Sequence, residues 1–424
     1  MDSIATAVRR IPAASRETVG PADPDSRLVE VDMVRGFALF GVLLVNMYGF
    51  GADSIAWSSL PDRLAYTAMH VLFESKFWTL FSLLFGFGFA LLLGRTEARG
   101  TSVLQLYLRR LAVLFVLGAV HVLLNDGDIL MLYAELGLVL LLVRRLPTRG
   151  LLGLAAALIL VFPFVRLTRV ESTEPGRVRS NEVARARAQL ERSQRSDVYA
   201  VGSFSEVVAE NATAIPAKPL EDIDTPESGL AVFAMFLVGY AVGRSGRLRD
   251  IAGNAGAISR LRAWGLGIGI AAMAVEQSLV HTARYEVFRP SRAGPGPQLA
   301  GDLLFAFGTT SLALGYGAAL ILAAQTPRGR ALLDPLAAVG RMALTVYLAQ
   351  TLMFTTLFYG YGLGRAYRLG PVAVTGWAIA FFAVQVVACQ WWSRRFQFGP
   401  AEWLWRSLTY LRWQPMRQPS PTTR

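Results

Sequence analysis

The chain has 424 residues, 53% hydrophobic and 17% charged, with a mean hydropathy of +0.40. That balance excludes a soluble fold around one core, since the apolar residues suffice for roughly ten bilayer spans of about 20 residues each, and it excludes disorder, which needs low hydrophobicity. The net charge of +12 does not mark a nucleic-acid partner: the arginines sit at the ends of apolar segments, as positive-inside anchors do, and do not line one polar face.

Residues 1–31 are polar and rich in Pro and Ser, and read as a disordered cytoplasmic tail. Arg9 and Arg10 are not followed by an apolar run, so the pair does not read as an export signal. The first apolar segment, 34–50, would serve as an uncleaved signal anchor. Nine more follow, near 77–94, 109–124, 128–143, 150–167, 229–243, 263–281, 300–323, 337–358 and 371–393. Ten such segments in succession predict an all-α polytopic membrane bundle. It divides into a five-span group at 32–168, a long polar extracytoplasmic loop at 169–228, a second five-span group at 229–395 and an amphipathic tail at 396–424. With the N-terminus inside, the short inner connections carry 19 Lys and Arg against 7 outside. This bias predicts that both termini are cytoplasmic.

The long loop holds the mixed-charge run RSNEVARARAQLERSQRSD, whose Ala, Arg, Glu and Gln favour a short surface helix. Near the C-terminus, FGPAEWLWRSLTYLRWQ interleaves aromatic rings with arginine, as a helix lying in the headgroup layer does. The single cysteine, Cys389, lies in an apolar stretch. With His70, His121 and His281 the only histidines, neither a disulfide nor a dedicated metal site is expected.

Polar residues inside apolar spans are costly and point to function. In VDMVRG, Asp32 and Arg35 stand three apart and share a helix face. Asn46 lies eleven residues on, about three turns or about 16 Å up the same face. In HVLLNDGDILMLYAE, His121 and Asn125 share a face, while Asp126 and Asp128 flank Gly127 in a very short turn. An imidazole beside a carboxylate suits general-base work; Asn-Asp-Gly-Asp is also ordinary turn chemistry, with Asp128 as a cap for the next helix. Arg341, Thr345 and Gln350 put further polar groups into one span, to line a cavity or to join helices. Glu74 and Lys76 precede the second segment. Glu276, Gln277 and Asp302 carry no spacing that specifies chemistry.

The blocks VDMVRGFALFGVLLVNMYGF, FWTLFSLLFGFGFALLLG, LRRLAVLFVLGAVH, GDILMLYAELGL, GRMALTVYLAQT, FYGYGLG and FGPAEWLWRSLTY resemble the YeiB-like family, domain of unknown function 418, over about 27–410. That family is similar to the wider group of transmembrane acyltransferases, which move an acyl group from cytosolic acyl-CoA to a sugar-like acceptor. The resemblance implies Arg35 as a contact to the CoA phosphates. The Arg35-to-Asn46 spacing resembles a motif of that group, although acyltransferase family 3 has His where Asn46 stands. The YeiB-like pattern also commonly has Asn where Val346 stands.

The expectation is therefore a multi-pass acyltransferase of the bacterial cytoplasmic (inner) membrane. His121, helped by Asp126, would act as base, and Asn46 would donate to the thioester carbonyl. Arg35, Asp32 and Arg341 would hold acyl-CoA. Asp128, Tyr133 and Gln350 would contact a small-molecule or glycan acceptor. Lipids are the expected partners, with an oligomer open and neither metal nor nucleic acid. A small-metabolite transporter and a non-catalytic membrane protein are the alternatives.

Overall fold

The computed structural model describes residues 27–51, 59–98, 103–171, 197–216, 226–284, 295–366 and 368–418. Their regular structure is helical; the β pairing among them is one isolated bridge, Phe396 to Arg417. The helices are α1 (Val29–Gly51), α2 (Leu60–Leu72), α3 (Lys76–Ala98), α4 (Val103–Val122), α5 (Leu130–Val143), α6 (Thr148–Glu171) and α7 (Phe204–Ala214). They continue with α8 (Pro226–Ser245), α9 (Ala255–Arg284), α10 (Pro295–Ala323), α11 (Pro327–Arg341), α12 (Ala343–Phe358), α13 (Pro371–Ser393) and α14 (Pro400–Tyr410). Six stretches are long and apolar enough to cross a bilayer, or seven when α11 and α12 count as one. Many apolar side chains face outward, among them Val116, Val120, Val384, Val387 and Leu142, which is 82% exposed. Water would penalise such a surface, and lipid would not. The protein is a helical membrane bundle.

Each of the ten apolar segments lies largely within a helix. Two places depart from the expected pattern. The connection 51–76 contains a helix, α2, started by Ser59, whose hydroxyl accepts from the Asp62 amide, and by Pro61 in the first turn. It runs into α3 through a break at Phe73–Ser75, where Ser75 takes a left-handed φ of 64°. The expected span 337–358 is α11 and α12, bent by 82° at Met342. α11 starts ten residues earlier because Thr326 caps it and Pro327 opens it.

α1 is the hub, packed against α3, α10, α11, α12 and α13. Its tightest crossing is with α11: a Cβ on Gly36 would overlap the Leu336 carbonyl, and one on Gly340 the Asp32 carbonyl. The α3–α8 crossing repeats this device at Gly86 and Gly239. Small residues let backbones approach where lipid offers no hydrophobic drive for association. α1 thus reaches across to the second group of spans, and α8 reaches back to the first.

The run 179–197 lies, but for Asp197, outside the described residues, as do residues 1–26. Among the described residues of the long connection is α7, opened by a reciprocal capping box between Ser203 and Glu206. It is fastened by Asn211, which accepts from the Tyr199 hydroxyl at 2.7 Å and donates to the Leu123 carbonyl at 3.2 Å.

Candidate functional site

A cavity of about 1190 Å³ opens beside the start of α1. One face of α3 forms a wall: Phe81, Leu84, Phe85, Gly88, Phe89 and Leu92, spaced three and four apart. Tyr107, Arg110 and Leu114 of α4 form another. The inner end reaches Ile129 and Tyr133 of the α5 region and Tyr347 of α12, and the mouth is closed over by α14 and the residues after it.

Six arginines line this cavity: Arg27, Arg35, Arg110, Arg341, Arg406 and Arg412, against Asp32, Asp334 and Glu402. Asp32, 4% exposed, accepts from Arg27 Nε at 2.5 Å and Arg35 Nη1 at 2.7 Å. The pair expected from the sequence is thus a trio with a net positive charge. Arg110 lies over the Trp405 ring at 4.0 Å, and its charged neighbours are Arg406 and Arg35. Trp405 Nε1 donates to the Arg110 carbonyl at 3.0 Å. The tail that read as a headgroup helix therefore folds back over the cavity. It is closed on itself by Gln397 N to Met416 O (2.9 Å) and Gln418 N to Arg395 O (3.0 Å).

The break at Met342 exposes the amides that start α12, and a carboxylate takes them. Glu402 Oε1 accepts from Leu344 N at 2.5 Å and Thr345 N at 3.2 Å, and the Thr345 hydroxyl bonds Oε2 at 2.6 Å. Burial pushes the Glu402 carboxyl above its ordinary range, and these hydrogen bonds only partly oppose the shift.

His121 lies beyond the inner end, its ring 4.9 Å from that of Tyr347. Nδ1 meets Asp128 Oδ1 at 2.7 Å and Nε2 meets Thr351 Oγ1 at 2.7 Å. An ionised carboxylate only accepts, so Nδ1–H donates to Asp128, while Nε2 shares a hydrogen bond with the Thr351 hydroxyl, which also lies 3.5 Å from the Tyr347 carbonyl. Asp128 Oδ2 also accepts from Met131 N at 2.8 Å and caps the first turn of α5.

The structure brings Arg35, Asp32, Arg341 and Tyr133 together around one cavity, with His121 and Asp128 one ring behind it. The carboxylate on His121 is Asp128 and not Asp126, because the turn after Asn125 carries residue 128 back under the imidazole. Asp126 does not border the cavity. Neither does the half-buried Asn46. Gln350 ties three helices, donating to Leu39 O at 3.3 Å and Gln385 Oε1 at 3.1 Å. Tyr133 exchanges a hydrogen bond with Ser82 at 2.7 Å. Sequence reasoning missed Arg110, Glu402, Trp405 and Thr351. The first was counted only as a topology anchor, and the others become partners through contacts that no local pattern records. Among the described residues, no group of three or more His, Cys, Asp or Glu is placed to hold a metal.

The fold and this site define a polytopic helical membrane protein with an arginine-mouthed internal cavity. The family described as Protein of unknown function (DUF418) matches residues 242–412. The chain is 32% identical to protein YxaH of Bacillus subtilis (strain 168) over 418 residues, which cover 93% of this chain and 97% of that protein. It is 31% identical to YeiB of Escherichia coli (strain K12) over 401 residues, 90% of this chain and 96% of that protein. A 39.9 kDa protein of Bacillus acidopullulyticus is 26% identical over 413 residues, 93% of this chain and 97% of that protein. The chain belongs to the YeiB-like DUF418 family. No solved structure matches it.

Proposed function

We propose that this protein is an acyltransferase of the bacterial inner membrane that takes its acyl group from acyl-CoA. The observation that carries the reading is the cavity: arginines at the mouth, aromatic and aliphatic walls within, and a His–Asp pair one ring beyond its end. Ligand pockets for small molecules run to about 300–1,000 Å³, and about 1190 Å³ is room for a nucleotide-bearing donor. Arg27, Arg35, Arg110, Arg341 and Arg406 would meet its phosphates. The thioester would lie near Tyr133 and Tyr347. His121, oriented by Asp128, would take the proton of the acceptor hydroxyl or amine, which calls for Tyr347 to swing aside. The acceptor, a glycan or small metabolite, would approach from the end opposite the arginines.

Acetyl-CoA and longer acyl-CoAs should raise the melting temperature of the detergent-purified protein, because a ligand bound only by the native state stabilises it. The shift should shrink in Arg35→Ala. His121→Ala should keep the shift and lose about 10²–10⁴-fold in acyl transfer. Absence of any shift with every chain length removes the donor assignment. A second reading, a small-metabolite transporter or exporter, is favoured by the broken helix pair α11–α12. Substrate uptake into proteoliposomes without CoA release would select it.

A further inference from the structure

A second polar cluster lies where α2 breaks into α3, away from the arginine cavity. His70 is 3% exposed, Lys76 0% and Glu276 3%. His70 Nδ1 pairs with Glu74 Oε2, and Nε2 lies 3.2 Å from Glu276 Oε2 on α9. Lys76 Nζ donates to the His70 carbonyl at 2.8 Å, closing the frayed end of α2, and stands 5.1 Å over the Phe305 ring of α10. Phe73 and Phe77 flank this break and pack on Phe40 and Phe37 of α1. The cluster therefore lies within the depth of the apolar bundle. Tyr316 of α10 also reaches the break, its hydroxyl donating to the Leu72 carbonyl at 3.1 Å; Gln277 follows Glu276 on α9, and Asp302 stands three residues before Phe305 on α10.

An imidazole facing a carboxylate oxygen on each nitrogen satisfies both only if each nitrogen bears hydrogen or one carboxyl is protonated. The three groups together thus hold one proton more than a neutral imidazole with two carboxylates. Counting that proton and the Lys76 ammonium, the quartet is neutral; without it, a buried net charge of −1 remains, which is costly among apolar helices. The two carboxylates differ in access, since the Glu74 side chain is 37% exposed whereas that of Glu276 is 3% exposed. We propose that Glu74, His70 and Glu276 form a proton-binding site: a proton arrives at Glu74, is held on the imidazole, and leaves its other nitrogen for Glu276. The same proton fastens α9 to α2, a helix pair otherwise in slight contact, since α9 packs chiefly on α10.

The test is a titration of the full chain in nanodiscs with ¹⁵N-labelled histidine. Only three histidines are present, so comparison with the spectra of His121→Gln and His281→Gln assigns His70 without altering the cluster. Both His70 nitrogens should bear hydrogen at pH 6, and one proton should leave as the pH rises, with the melting temperature falling over the same interval. Glu276→Gln should weaken His70 proton binding by about ten-fold or more and remove the alkaline fall in melting temperature. A His70 ring with one bare nitrogen at pH 6 alongside two ionised carboxylates by infrared spectroscopy overturns the proposal. So does an unchanged titration in Glu276→Gln. Neither outcome touches the acyl-transfer reading, whose readout is CoA release.

Discussion

Single carboxylates in this protein carry two jobs each. Asp128 caps α5 with one oxygen and orients His121 with the other. Glu402 takes the amides of α12 with one oxygen and the Thr345 hydroxyl with the other, while that hydroxyl also accepts from Ala401 N at 3.0 Å. The second arrangement has a pH consequence. Burial raises the folded-state value of Glu402 above that of a solvated carboxyl. Its contribution to stability is therefore full below the solvated value, near 4.3, and is lost as the pH rises through the raised one. Melting curves recorded from acid to neutral pH should show this loss, and Glu402→Gln should flatten it. Glu402→Ala leaves buried amides without an acceptor and should cost about 1–3 kcal/mol at low pH.

Among elements, the broken pair α11–α12 decides where the arginines go. α11 lies across α1 through the reciprocal contact of Gly36 and Gly340, and this sets Arg341 beside Asp32 and Arg27. A side chain at Gly340 has backbone in its way and no room to move. Gly340→Leu should lower stability by about 1–3 kcal/mol in denaturant or thermal melts. Gly256→Ala, where an added Cβ meets nothing within 4 Å, should be neutral or mildly stabilising. Equal losses in the two variants would refute the packing argument. Legibility also differed by element. The Asp32–Arg35 pair was readable because helix geometry alone puts residues three apart on one face. The break at Met342 was not, because it is held by Glu402, some sixty residues further along the chain.

For the whole molecule, the cavity is the joint product of α1, α3, α4, α5, α11, α12 and the C-terminal cap. Gly88 lies mid-wall, and a Cβ there meets nothing within 4 Å. Gly88→Leu should narrow the chamber at mid-wall without disturbing the helices. The variant should melt close to the parent yet lose most of the stabilisation by acyl-CoA, while Arg35 and His121 stay in place. A full shift in that variant would place the donor elsewhere.

Composition and the spacing of apolar residues determined by themselves that this is a helical membrane protein and where its main helices lie, because a run of about 20 apolar residues is long enough to span a bilayer and ten apolar segments in succession exceed what one soluble core can bury. They also marked Asp32, Arg35 and His121 as unusual, since each is polar in an apolar frame. Only the tertiary structure decided that Asp128 serves His121, that Gln350 joins helices instead of bordering the cavity, that the aromatic tail closes the arginine mouth, and that His70 reaches Glu276. Each of those contacts depends on how the chain folds back in space, and hydrophobic periodicity carries no record of that.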